Sequence, residues 1–287
     1  MLYKKSDGGA GQIVDTVNDF EVAKGQSVEF RDLSIRFGSF LAVSNISLRI
    51  EPGEFVCVIG PSGCGKSTLL NAAAGFLGSS NDGNGVLDGG VLVDDIPVRK
   101  PDISRGVVFQ SSSALFPWLT VRQNVAYGPR IRGIRGHQLR ELTERYIELV
   151  GLGPAAGRFP GQLSGGMQQR VQLARVLANQ PQVVFMDEPL GALDAQTRAV
   201  LQGEIERLWL KTQCTVMFIT HDLDEAIKLA DRIVIMSAGP GAGIKSIYKM
   251  NQSRPRDASE PFYVELRKRL WNDISEEVMK TLKIQKG

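Results

Sequence analysis

The chain has 287 residues, 43% hydrophobic and 23% charged, the proportions of an ordinary globular protein with room for one large domain or two modest ones. Its 34 basic and 31 acidic residues leave a net charge of +3, too small for a global attraction to nucleic acid, which is excluded as an expected partner. No apolar run approaches the roughly 20 residues that span a bilayer, and the opening MLYKKSDGGAGQ lacks the apolar stretch of a secretory leader. The expectation is therefore a chain that does not itself cross a membrane.

In chain order, residues 1–26 show no periodicity and are read as a flexible N-terminal arm. SVEFRDLSIRF and VSNISLRI follow as alternating strands divided by turn residues, which predicts an antiparallel layer. EFVCVIG, Glu54 to Gly60, is a continuous apolar run of the kind a strand buried on both faces requires, and it leads into a glycine-rich loop. A helix is predicted over Lys66 to Ala74, then a loop-rich insertion over 78–90 and a strand at Val91 to Val93. RGVVFQ, VVFMDE and TVMFITH are further short buried strands, the last two joined by a helix from Ala195 to Lys211. Between 111 and 179 the pattern is wholly helical, an inserted subdomain, and the tail over 251–287 ends in the amphipathic helix PFYVELRKRLWNDISEEVMK. Strand and helix in this alternation predict a parallel sheet with helices on both faces inside one domain over 27–250. Cys57, Cys64 and Cys214 have no metal-ligand spacing, which predicts reduced, structural thiols of a cytosolic protein.

The chemistry concentrates at strand ends. In GPSGCGKST, the glycines let backbone amides of Gly60, Ser62, Gly63, Cys64 and Gly65 approach phosphate oxygens, and the helix start through Thr68 adds partial positive charge. Lys66 is placed to reach the β and γ phosphates, and Ser67 to hold Mg²⁺ through its hydroxyl. VVFMDEP puts Asp187 where a metal-side acid belongs; the adjacent Glu188, facing the other way along a strand, is placed to polarise an attacking water. The plain alternative for both is a solvated acidic strand end. His221 closes TVMFITH and Gln110 closes VVFQ; each is either a catalytic contact, Gln110 to both cation and water, or an ordinary polar group leaving a strand. LSGGMQQR, Leu163 to Arg170, is a second loop shaped like an anion-holding helix start, formed by Ser164, Gly165 and Gly166.

GPSGCGKST, VVFQ, LSGGMQQR, VVFMDEP, GALD and TVMFITH, in that order from Ser27 to Ile247, resemble the nucleotide-binding subunit of ATP-binding cassette (ABC) transporters. The resemblance implies an α/β fold, a P-loop NTPase (RecA-like) core sheet with an antiparallel β-subdomain and an inserted helical subdomain. It implies ATP and Mg²⁺ as cofactors, the cation held by Ser67, Gln110 and Asp187, and catalysis by Glu188 with His221 and Gln110. Two subunits would lie head to tail, so that Ser164, Gly165 and Gly166 of one hold the γ phosphate in the other's loop. Asp194, in GALD, would cross the seam and help position Glu188. Phe37, in SIRFG, corresponds to the aromatic that stacks on adenine; Phe40 competes for that role, and core packing is the plain alternative for Phe37. Met167 and Leu190 depart from the commonest pattern, and the 78–90 insertion lengthens a usually short loop, without removing a phosphate or metal ligand.

A single cassette without fused membrane helices resembles the importer type. The implied assembly is two cassettes beneath two permease subunits, fed indirectly by an external solute-binding protein, at the cytoplasmic face of the inner membrane. RGVVFQ, LFPWLTVRQNVAYG, MDEPLGALDAQTR, THDLDEAIKLADR and MSAGPG resemble the nitrate, sulfonate, taurine and bicarbonate branch, which includes importers of a thiamine pyrimidine precursor. Leu115 to Leu119 would border the groove for a permease helix; Trp118 either serves it or packs within the subdomain. The cluster Arg130, Arg132, Arg135, Arg140 and Arg145 is read as a solvated helix face, with anionic lipid or permease as the alternative. By the same resemblance, the tail is read as too short for the regulatory domain of sugar-importer ATPases, and no such domain is expected. A nucleotide-gated regulatory module is the rival function, while a P-loop small-molecule kinase leaves LSGGMQQR without a purpose.

Overall fold

The computed structural model describes residues 24–77, 85–110, 114–256 and 259–284. Most of the expected arm (1–23), the first half of the expected insertion (78–84), the start of the helical stretch (111–113) and the tail's 257–258 and 285–287 lie outside the described residues.

The first two strands, β1 (Val28–Phe37) and β2 (Phe40–Ile50), form an antiparallel hairpin that pairs through β1 with β4 (Val86–Val93), and β5 (Ile96–Pro97) closes the sheet. The expected antiparallel layer is present, and β4 begins five residues earlier than the predicted strand. The second sheet is built on β3 (Phe55–Ile59), β6 (Arg105–Val108), β7 (Val183–Asp187), β8 (Thr215–Ile219), β9 (Arg232–Met236) and β10 (Ile244–Lys249), in the order β10-β9-β3-β8-β7-β6. All its pairings are parallel except the edge strand β10. β9 and β10 were not among the strands expected from the sequence.

The continuous apolar runs are explained by period-two alternation into two cores. Phe55, Cys57 and Ile59 of β3 enter one cluster, while Val56 and Val58 enter the other. Val216 and Phe218 of β8 face the first, and Met217 and Ile219 the second. The second core is closed by the antiparallel sheet and α1 (Lys66–Ala74), through residues such as Phe30, Ile46, Leu69 and Leu70. The first is closed by helices: α2 (Val121–Ile131), α3 (Gly136–Leu149) and α4 (Gly165–Leu177) pack on one another, with α5 (Ala195–Thr212), α6 (Leu223–Leu229) and α7 (Pro261–Ile284) beyond them. Phe218 is fully buried, and its truncation to Ala carries a cost of about 3–5 kcal/mol.

This strand order positions the site. β3, β8, β7 and β6 are consecutive neighbours, and neighbouring strands lie about 4.8 Å apart. The residues leaving their carboxyl ends, the Gly60 loop, His221, Glu188 and Gln110, therefore share one edge some three strand spacings wide.

Candidate functional site

The loop after β3 is shaped by glycines in the left-handed region, Gly63 at φ 77° and Gly65 at φ 91°. At Gly65 a β-carbon would lie 2.4 Å from Cγ1 of Val43, so the loop is seated against β2 and only glycine fits. At Gly63 nothing stands within 4 Å of a β-carbon, so that part of the cradle is open. Lys66 opens α1 and is 9% exposed; its ammonium donates to the carbonyls of Gly60 (2.9 Å) and Pro61 (2.8 Å), which holds it within the curl of the loop. Cys64 is buried there, and burial pushes its thiol up.

Asp187 ends β7 and accepts a hydrogen bond from the Ser67 hydroxyl. Burial pushes its carboxyl up, opposed by the Ser67 bond and the Lys66 charge, as befits an acid arranged beside a cation's place. Among the described residues no three His, Cys, Asp or Glu side chains cluster as a metal set. The hydroxyl and carboxylate together suit Mg²⁺, which takes few protein ligands and completes its shell with phosphate and water.

Glu188 is not a continuation of the strand, and the expectation that alternation alone turns it away from Asp187 is corrected. β7 stops at Asp187, and Glu188 adopts φ 45°, a left-handed conformation that costs a non-glycine residue about 1–2 kcal/mol. Four hydrogen bonds hold the turn. The Glu188 amide donates to Ile219 O (3.0 Å), and its carbonyl accepts from Gly191 N (3.2 Å) and from Nε2 of Gln169 (3.0 Å); Oε1 of Gln169 in turn accepts from Ala192 N (3.3 Å). The turn brings the side chain to its partners: Gln110 Nε2 donates to Oε2 of Glu188 at 3.0 Å, and His221 Nδ1 lies 3.2 Å from the same oxygen. Two residues, leaving the strands on either side of β7, thus converge on one carboxylate oxygen of Glu188.

The second anion-type loop behaves differently. Ser164 caps α4, its hydroxyl accepting from Met167 N (3.3 Å), and a β-carbon at Gly165 would meet nothing within 4 Å. Asp194 caps α5 by accepting from Thr197 N (2.9 Å), a bond that holds its carboxyl below the usual range. Ser164, Gly165 and Asp194 are solvent-exposed; within one chain Ser164 and Asp194 serve as caps and turn their remaining capacity outward.

Phe37 and Phe40 face each other across the end of the hairpin whose β2 limb touches Gly65, and they are 36% and 50% exposed. Phe37 is therefore not a core residue. Trp118 is also exposed, on a turn fixed by the buried Asn124, whose amide donates to the carbonyls of Phe116, Leu119 and Thr120. Of the arginine cluster, Arg132 reaches across the helical subdomain to donate to Asn179 O, while Arg135 donates to Arg130 O and Ile134 O and Arg145 pairs with Glu141; these surface uses agree with a solvated face. An apolar cavity of about 50 Å³ lined by Tyr146, Met186, Trp209 and Cys214 lies toward the opposite edge of the sheet, away from this chemistry.

Two residues here were not singled out from the sequence. Gln169 lies inside LSGGMQQR but finds its partners 19 and 23 positions away, and Arg198 donates to Leu193 O (3.1 Å) and Asp222 Oδ2 (3.3 Å), joining the loop after Glu188 to the one bearing His221. Neither contact leaves a periodic or compositional signal.

A glycine-rich phosphate cradle before a helix, with paired acids on a nearby strand end, defines a P-loop nucleotide-binding ATPase. A family model described as ABC transporter matches residues 43–191, and the chain belongs to that family, whose members bind ATP. It is 43% identical over 238 residues to a nitrate import ATP-binding protein of Synechococcus elongatus, covering 80% of this chain and 83% of that one. It is 45% identical over 222 residues to a taurine import ATP-binding protein of Ruegeria pomeroyi, covering 76% and 79%. Among solved structures, a dimeric, post-hydrolysis ATP-binding cassette bound to ADP and Pi superposes with a TM-score of 0.68 at 30% identity, covering 79% of this chain and all of that one.

Proposed function

We propose that the chain is the ATP-hydrolysing subunit of an importer for a small anionic solute, of the nitrate, sulfonate, taurine or bicarbonate type. Two copies would bind ATP between them in head-to-tail array at the cytoplasmic face of the inner membrane. They would dock on separate permease subunits supplied by an external solute-binding protein. The observation that carries this reading is the convergence of Gln110 and His221 on Oε2 of Glu188 beside the phosphate loop, while Ser164 and Gly165 open outward.

Backbone amides of Gly60, Ser62, Gly63, Cys64 and Gly65, with Lys66 and Thr68, hold the phosphates; Phe37, with Phe40 beside it, covers the adenine. Ser67, Asp187 and Gln110 would hold Mg²⁺, which neutralises charge on the phosphate oxygens. Glu188, oriented by Gln110 and His221, accepts the proton of the attacking water as it adds to the γ phosphorus and the bond to the β–γ bridging oxygen breaks, releasing ADP and phosphate. Ser164, Gly165 and Gly166 of the partner subunit complete the γ-phosphate site, with Asp194 across the seam. ATP favours closure because only the closed pair makes both sets of contacts; a swing from mostly open to mostly closed takes about 5.5 kcal/mol of differential binding. Loss of the γ phosphate removes the bridge, and reopening returns the permease to its other state.

A groove of about 290 Å³ lined in part by Tyr127, Ile131, Arg175 and Ile103, close to the turn that carries Trp118, supports docking of a permease helix on the helical subdomain. Reconstitution of the chain with its permease and binding protein in vesicles tests the proposal: ATP-dependent solute uptake that ceases with Glu188→Gln supports it. Nucleotide-dependent regulation of a partner without uptake favours the rival reading, a nucleotide-gated module.

A further inference from the structure

The loop from Glu188 to Asp194 is gripped by the same helix that offers Ser164 to the partner subunit. Gln169 is 4% exposed, and both ends of its amide are used: Nε2 donates to Glu188 O at 3.0 Å and Oε1 accepts from Ala192 N at 3.3 Å. Only one orientation of the amide satisfies both partners, so the side chain acts as a two-pronged peg between the backbone groups flanking the turn. One helical turn earlier on the same face of α4, Gly166 lies against the loop as well. A β-carbon there would meet Leu193 Cδ2 at 3.0 Å and Ala192 O at 3.4 Å. Ser164 caps this helix five residues before Gln169, about 7.5 Å along the axis, a distance over which a helix moves as a rigid rod.

We infer that Gln169 is a positioning residue that couples the two half-sites of one chain. It holds Glu188 in its left-handed conformation and ties the placement of that carboxylate to the position of the helix whose N-terminus meets the neighbour's γ phosphate. Seating of Ser164 on the partner's nucleotide is in this way reported to the chain's own hydrolytic group through two hydrogen bonds and the Gly166 contact. The inference rests on the hydrolytic role proposed for Glu188.

Gln169→Glu keeps the shape of the side chain and removes its donor to Glu188 O; Gln169→Met keeps its length and removes both bonds. Each variant of the full chain is compared with wild type and with Glu188→Gln for ATPase kinetics, ATP-dependent dimerisation and thermal midpoint. The expected result is a loss of roughly 10- to 100-fold in kcat, the scale of a misplaced reacting group. KM for ATP should stay within about twofold and ATP-dependent dimerisation should be retained, with the midpoint lowered only by the few degrees that the lost buried hydrogen bonds cost. A merely structural role would instead lower dimerisation and ATP affinity together with the rate, and that pattern overturns the inference. So does kcat within about twofold of wild type in both variants while Glu188→Gln is inactive, which leaves the role of Glu188 intact. Wild-type turnover by Glu188→Gln overturns that role and the coupling with it.

Discussion

The left-handed turn at Glu188 makes a prediction that separates backbone strain from chemistry. Glu188→Ala and Glu188→Gly both remove the carboxylate and its contacts with Gln110 and His221, so both should be inactive as ATPases. They differ in the cost of φ 45°. Ala keeps a penalty of about 1–2 kcal/mol for that conformation, whereas Gly has none. Against this, Gly loses about 0.5–1 kcal/mol more chain entropy on folding. The balance leaves Glu188→Gly more stable by about 0.5–1 kcal/mol, or about 1–4 °C in thermal midpoint for a chain of this size. Matched thermal unfolding of the two variants without nucleotide measures the difference. An Ala variant as stable as the Gly variant would refute the claim that folding energy is stored in this turn to aim the carboxylate.

Further outcomes follow from other groups in the site. Burial pushes the Asp187 carboxyl up, so the folded chain binds its proton more tightly than the unfolded chain, and stability contributed there is present at low pH and lost as pH rises through the folded value. Asp187→Asn should therefore raise the nucleotide-free thermal midpoint at neutral pH, an advantage that disappears in acid, while Mg²⁺-dependent ATP turnover is lost; a lower midpoint at pH 7 would contradict this. Ser164→Ala should cost about 1 kcal/mol through the lost cap on Met167 N, read by denaturant unfolding, and abolish ATP-driven dimerisation. Unchanged dimerisation would remove Ser164 from the interface. Alanine at Phe37 or Phe40 should weaken ATP affinity by about 1–3 kcal/mol at whichever ring stacks on the base, measured by calorimetry, with GTP affected similarly because stacking ignores base edges. Cys57, Cys64 and Cys214 are all buried, with thiols pushed up by burial, so alkylation of the native chain at pH 7 should be far slower than in denaturant.

What was legible in the sequence follows from how local each signal is. The runs FVCVI, VVFMD and TVMFI announce strands because each alternate residue feeds a different apolar core, leaving no polar face to blur the pattern. RIVIM has the same character and is β9, yet only Ala230 and Asp231 separate it from the end of α6, so the apolar pattern of the helix runs into that of the strand. The glycine-rich loop and the acids at 187 and 188 are contiguous, so their chemistry can be read directly. The aim of Glu188 could not, because it depends on a left-handed residue pinned by Ile219, Gly191 and Gln169, partners up to 31 positions distant whose pairing exists only after α4 and β8 have packed beside β7. The choice for Phe37 between core and surface likewise needed burial, which the alternation of β1 alone leaves open at the end of a hairpin.

The central claim, that each catalytic pocket is shared between two copies, is tested most directly with mixed dimers. One copy carries Lys66→Ala and cannot hold the triphosphate; the other carries Glu188→Gln with an intact loop. ATP bearing a photoreactive group on its γ phosphate is added with Mg²⁺, and the labelled peptides are mapped. The account predicts label on residues 164–166 of the Lys66→Ala copy, present only when the loop-competent copy is mixed in. Label confined to the chain whose own loop binds the nucleotide would contradict it.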